Sequence, residues 1–89
     1  MNEFNEQLYR LGINEIIERY IKNYFDVHGE IFPADGLYSR FMNEVERPLI
    51  EETLRRMKGN QIRVAKLLGM NHNTLRRKIQ DLNISLENI

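Results

Sequence analysis

The sequence lacks the residues and the apolar runs on which several classes of protein depend. It contains no cysteine, which excludes disulfide bonds and thiolate metal sites. No stretch approaches the ~20 consecutive apolar residues of a membrane-spanning helix, and no basic-then-apolar leader is present. The two histidines, His28 and His72, have no metal-ligand spacing, and neither Ser39 nor Ser85 lies in a nucleophile motif. We therefore expect no catalytic site, metal, cofactor or small-molecule substrate, and a soluble cytoplasmic protein without membrane contact.

Net charge is also absent, because the 13 basic and 13 acidic side chains cancel. Their distribution is uneven. Residues 1–52 hold eleven acidic and five basic side chains, a balance of −6, whereas residues 53–89 hold two acidic and eight basic ones, a balance of +6. This asymmetry indicates that one part of the chain meets phosphate and another does not.

The length of 89 residues indicates one small domain. A domain of this size buries a modest share of its surface and is marginally stable without a disulfide, a metal or a partner subunit. Since the first two are excluded, we expect a homodimer.

A stretch near the C-terminus predicts two short helices joined by a tight turn. The helices are predicted at residues 61–68 and 72–82. Asn60 and Asn71 precede them as N-caps, because an asparagine oxygen accepts a backbone N–H that the first turn leaves unpaired. Gly69 begins the turn, where a left-handed conformation is favourable without a Cβ atom.

The second of these helices has an apolar and a basic face. Leu75, Ile79 and Leu82 recur at helical spacing and predict the buried side. The other face carries polar and basic side chains on its first two turns, and such hydrogen-bond donors match the base edges and phosphates of the DNA major groove. The polar residues of the other face are His72, Asn73, Thr74, Arg76, Arg77 and Lys78.

This pattern resembles the Fis-type helix-turn-helix, which is shared by the nucleoid protein Fis and the C-terminal domains of NtrC-like enhancer-binding activators. The resemblance covers roughly residues 20–84. Within the motif it rests on Gly59, Asn60, Gln61, Ala65, Leu68, Gly69, Asn71, Thr74, Leu75, Arg76 and Lys78. Upstream it rests on Leu37, Tyr38, Glu44, Val45, Glu46, Pro48 and Leu49, and more weakly on residues 22–25.

The resemblance implies an all-α, four-helix Fis-like domain that dimerises through its two N-terminal helices and binds double-stranded DNA in the nucleoid. The family's DNA-contact positions are occupied here by Asn71, His72, Thr74, Arg76, Arg77 and Lys78, with Asn60 near the backbone. Of these, we predict a base contact for Arg77 and phosphate contacts for Arg76, Lys78 and Asn60. The sequence departs from the family at His72, where arginine is usual.

The upstream residues 13–58 predict the two dimerisation helices. Helix A, from Asn14 to His28, carries an apolar stripe too wide for one small monomer to cover; we expect Asn14 to cap it and Gly29 to end it. Helix B is predicted from Gly36 to about Lys58, with Asp35 as its cap and a bend at Pro48.

The two ends of the chain are predicted separately. Residues 1–12 form an N-terminal segment with helical spacing, which is either a short helix or a linker. The nucleoid protein carries a hairpin arm at this place, so the spacing favours the NtrC-like class. The helix-turn-helix spans residues 59–84. Ile84 and Leu86 are expected to pack onto the core, and the tail of residues 85–89 to fray.

Three alternatives stay open. The chain is a domain of an NtrC-like activator, a stand-alone Fis-like nucleoid protein, or a dimeric protein-interaction module in which the basic helix is incidental. RNA binding is disfavoured because the basic helix lacks interleaved aromatic residues for base stacking.

Overall fold

The computed structural model describes residues 12–29, 34–87 and 89. These residues form four helices and no strand, which confirms the all-α fold. The chain divides into two compact units, residues 1–35 and residues 36–89. Residues 1–11 of the predicted N-terminal segment lie outside the described residues. The helices are α1 (Ile13–His28), α2 (Leu37–Arg56), α3 (Gln61–Leu68) and α4 (His72–Asp81).

The first unit contains α1, which begins and ends at glycine. Its N-cap is Gly12, so the predicted Asn14 cap is wrong: the helix starts at Ile13, and the Gly12 carbonyl accepts the N–H groups of Glu15 and Ile16 at 3.1 and 3.2 Å. The predicted end at Gly29 is confirmed, with φ of 60° and a backbone N–H that donates to the preceding turn. No residue of α1 is buried.

The second unit begins with α2, whose ends differ from the prediction. Its N-cap is Gly36 in the left-handed conformation (φ 86°), so Asp35 is not the cap. The helix stops at Arg56, two residues before the predicted end, because Lys58 and Gly59 both adopt positive φ angles of 54° and 79°. This turn lets the N–H of Gly59 donate to the Leu54 carbonyl at 2.8 Å.

The middle of α2 supplies part of the core. The helix continues through Pro48, and the bend predicted there stays a prediction. Ile50 and Leu54 are fully buried, whereas the neighbouring Leu49 is 54% exposed. The buried side of α2 therefore lies on the C-terminal half of the helix, next to the helix-turn-helix.

The core of the second unit is apolar and draws on α2, α3, α4 and the residues after them. Burial of such side chains is the dominant favourable contribution to folding. Met57, Leu68, Met70 and Ile89 pack around the edge of this core. Its buried members are Ile50, Leu54, Val64, Ala65, Leu75, Ile79, Leu82 and Ile84.

The residues after α4 return to the core. Asn83 is left-handed (φ 54°), and the next residue, Ile84, donates its N–H to the Ile79 carbonyl at 3.0 Å. Ile84 is buried as predicted, but Leu86 is 43% exposed, so its predicted packing is wrong. Ile89 packs against the core, beside Gly59, and the fraying of residues 85–89 stays a prediction.

Candidate nucleic-acid interface

Two asparagine caps and a glycine turn fix α3 and α4 relative to each other. The backbone N–H of Arg63 donates to the side-chain oxygen of Asn60 at 3.2 Å, and that of Asn73 donates to Asn71 at 2.7 Å. Gly69 is left-handed with φ of 76°. These three predicted roles are confirmed, and they set where α4 begins.

The turn is also closed by backbone hydrogen bonds. The N–H of Met70 donates to the Ala65 carbonyl at 2.9 Å, so the first residues after α3 fold back on the helix. Ala65 itself is 4% exposed and lies in the core.

The two faces of α4 differ as predicted. Leu75 and Ile79 are buried in the core, and Leu82 is buried just after the helix ends. His72 and Lys78 are partly exposed. The predicted contact residues of this helix that are exposed are Asn73, Thr74, Arg76 and Arg77. The structure thus brings these donors together on one accessible surface at the start of the helix, which we call the basic face of α4.

Asn60 and Asn71 lie at the N-termini of α3 and α4. Each uses its side-chain oxygen for a cap, but an asparagine amide also carries two N–H donors. Both residues are exposed. Each can therefore cap a helix and offer a donor to a ligand beside the helix end, where the unpaired N–H groups favour an anion.

Lys78 has a partner that the sequence pattern did not reveal. Its ammonium group donates to both carboxylate oxygens of Glu46, at 3.0 and 3.2 Å. The residues are 32 apart in the chain, so no helical spacing relates them. This partner differs from the phosphate that we predicted for Lys78.

The basic residues at the end of α2 are paired within their own helix. Arg56 Nε lies 2.8 Å from Glu52, and Arg55 lies 3.0 Å from Glu52 and 3.7 Å from Glu51. Hydrogen bonds from Arg56 and then Arg55 lower the pKa of Glu52 below its ordinary value. These glutamates offset part of the positive charge that α2 presents at its C-terminus.

Other kinds of site have no support in the part of the chain that the structure describes. Among residues 12–29, 34–87 and 89, no three histidine, cysteine or acidic side chains are grouped in a way that suits a metal ion. None of the four described helices combines the length and the apolar character that a membrane span requires.

The fold and this surface define a helix-turn-helix protein: α3 and α4 are joined by a glycine turn, and the basic face of α4 is open to solvent. Residues 41–82 match the family described as "Bacterial regulatory protein, Fis family". Together with the relatives below, this match shows that the chain belongs to the Fis family.

The relatives fall into two groups. The "DNA-binding transcriptional regulator NtrC" of Azospirillum brasilense is 51% identical over 75 residues, which is 84% of this chain and 16% of that relative. The "Putative Fis-like DNA-binding protein" of Pseudomonas aeruginosa is 36% identical over 72 residues, 81% of this chain and 68% of the relative. The "DNA-binding protein Fis" of Proteus vulgaris is 32% identical over 76 residues, 84% and 80% of the two chains. The chain thus spans about a sixth of the NtrC regulator's length.

Proposed function

We propose that this chain is the dimeric, sequence-specific DNA-binding domain of an NtrC-like transcription regulator, and that it binds enhancer sites in the nucleoid. The observation that carries the proposal is the solvent-exposed basic face of α4. The opposite side of the helix is buried in the core, and Asn71 caps its N-terminus. The 51% identity to an NtrC regulator, against 32–36% for the Fis proteins, favours the NtrC-like class over a stand-alone Fis-like protein.

The proposed assignment of residues to base contacts and phosphate contacts follows the geometry of a recognition helix. Such a helix enters the major groove with its N-terminal residues toward the bases. Arg77 is assigned to base contact, since a guanidinium matches the two acceptors of guanine. Arg76 and Asn60 are assigned to phosphates. The remaining residues that we place at the groove are Asn71, His72, Asn73 and Thr74. His72 offers one hydrogen bond where an arginine would offer two.

A binding titration against salt tests the proposed function. A preferred duplex is first selected from a random-sequence library, and its affinity is then measured between about 50 and 200 mM salt. The logarithm of the affinity is expected to fall linearly with the logarithm of the salt concentration, with a slope of about −0.9 per phosphate neutralised. A folded protein that selects no duplex and shows no salt dependence would support the protein-interaction module instead.

Dimerisation through residues 13–58 is part of the same proposal. It is supported by α1, in which no residue is buried although apolar side chains recur along the helix. Ile13 and Val27 are each 75% exposed, and Tyr20 is 60% exposed. A second copy of the chain would remove this apolar surface from water.

We expect sedimentation equilibrium at micromolar concentration to give twice the 10.7 kDa chain mass. Replacing Ile21 with aspartate should shift the protein toward monomer, because it places a charge within the apolar stripe. Asn23→Asp is the matched control, since it adds the same charge at an exposed polar position of α1. A stable monomer of the unmodified chain, or equal effects of the two substitutions, would contradict the proposed dimer.

A further inference from the structure

The ion pair between Glu46 and Lys78 joins two different helices of the second unit. Both carboxylate oxygens of Glu46, in the middle of α2, accept from the Lys78 ammonium group, in the second half of α4. The two side chains are 29% and 33% exposed, so each is largely shielded from solvent. By contrast, the pairs Lys22–Glu18 and Arg56–Glu52 each lie within one helix and are more than half exposed.

An ion pair between two helices restrains the rotation of α4 about its axis, which apolar packing restrains only weakly. The contacts of Leu75 and Ile79 with the core are non-directional, so on their own they tolerate small rotations of α4 about its axis. A charge-assisted hydrogen bond has a preferred direction and length. Lys78 directly precedes Ile79 and follows Arg77, so a contact that restrains the rotation of α4 also restrains the direction in which the Cα–Cβ bond of Arg77 leaves the helix.

The pair also changes the charge that α4 presents. An ammonium group held by a carboxylate at 3.0 Å has its charge offset locally by a charge of opposite sign. The exposed arginine and lysine side chains of α4 that remain are Arg76 and Arg77. Lys78 therefore differs from its two neighbours, although the three form one basic run in the sequence.

We propose that Glu46 is a positioning residue for DNA readout: it holds Lys78, sets the rotation of α4 and keeps this ammonium group from the phosphates. The inference rests on the proposed function, in which α4 is the recognition helix. Its consequence concerns specificity. A Lys78 side chain released from Glu46 is a mobile point charge that can bind any phosphate, so it strengthens binding to all sequences and weakens the discrimination among them.

The test compares single and paired substitutions in the 89-residue chain. Glu46→Gln removes the partner charge, Lys78→Gln removes the ammonium group, and the reversed pair Glu46→Lys with Lys78→Glu restores the attraction with opposite polarity. Glu44→Gln is the matched control, because Glu44 is an exposed glutamate two positions away on α2. For each protein, affinities are measured for the selected duplex and for a random duplex at several salt concentrations.

We expect Glu46→Gln to lower the ratio of selected to random affinity about three- to tenfold, in the range of couplings between contacting residues. On the random duplex, its log–log salt slope should become steeper by about 0.9, because Lys78 gains a phosphate. Lys78→Gln should lower the ratio without flattening that slope. The reversed pair should restore the ratio to within about threefold of the wild type, and Glu44→Gln should leave it unchanged.

A second measurement without DNA separates positioning from loss of fold. Thermal unfolding of the two single variants and of the double variant Glu46→Gln with Lys78→Gln should show that their losses of stability are not additive, because each substitution removes the same interaction. The proposal is overturned if Lys78→Gln flattens the salt slope by about 0.9, or if Glu46→Gln behaves like Glu44→Gln, while wild-type binding stays salt-dependent. Absence of any wild-type DNA binding would instead overturn the proposed function, and the positioning role with it.

Discussion

Replacing Leu75 with alanine is expected to lower the free energy of unfolding by about 2 to 5 kcal/mol, the usual range for a buried leucine. Leu75 is fully buried where α4 meets the core, so the substitution leaves a cavity that the surrounding helices fill only in part. Because domains of this size have about 5 to 15 kcal/mol of total stability, such a loss leaves a large unfolded fraction on mild heating. Urea denaturation followed by circular dichroism measures it.

Leu67→Ala is the matched control for this prediction. It is the same substitution within the same helix-turn-helix, but Leu67 is 58% exposed on α3. We expect a change within about 0.5 kcal/mol, as for most surface substitutions. Both proteins must be compared at one concentration, because dimerisation would stabilise the folded state by mass action. Equal losses at the two positions would mean that α4 does not pack on the core as described.

The second large effect is expected from Arg77→Ala. Loss of a guanidinium that contacts a base should cost about 1 to 3 kcal/mol on the selected duplex, which is about 5- to 150-fold in affinity. On a random duplex the loss should be much smaller. Fluorescence anisotropy titrations of both duplexes at one salt concentration give the comparison.

Arg76→Ala separates the two roles that we assign to neighbouring arginines. Arg76 and Arg77 are adjacent and both exposed, so the substitutions remove the same group from positions that point about 100° apart around the helix. If Arg76 contacts phosphate, its loss should weaken both duplexes alike and flatten the log–log salt slope by about one unit. Identical behaviour of the two variants on selected and random DNA would refute the assignment of Arg77 to a base.

Local patterns predicted much of the helix-turn-helix, because the interactions that form it are local. The caps at Asn60 and Asn71 and the turn at Gly69 each depend on residues within four positions. The buried side of α4 follows from the spacing of Leu75 and Ile79. Helix geometry alone predicts such features, and the structure contains the two caps, the glycine turn and the buried side of α4.

The errors arose where two local solutions compete or where distant residues meet. Asn14 and Asp35 are good capping residues, but glycine one or two positions away takes the cap in α1 and α2. The ion pair of Glu46 with Lys78 joins residues 32 apart, and no periodicity relates such positions. The sequence therefore identified Lys78 as part of a basic run but not its partner.

Both helices of the motif begin at an asparagine whose side-chain oxygen caps the first turn. An aspartate would make the same hydrogen bond, and its charge would interact favourably with the helix dipole. It would also place a full negative charge where the unpaired N–H groups attract an anion. The uncharged amides of Asn60 and Asn71 complete the helix ends and leave their electrostatic potential positive, so the caps themselves do not repel an approaching polyanion.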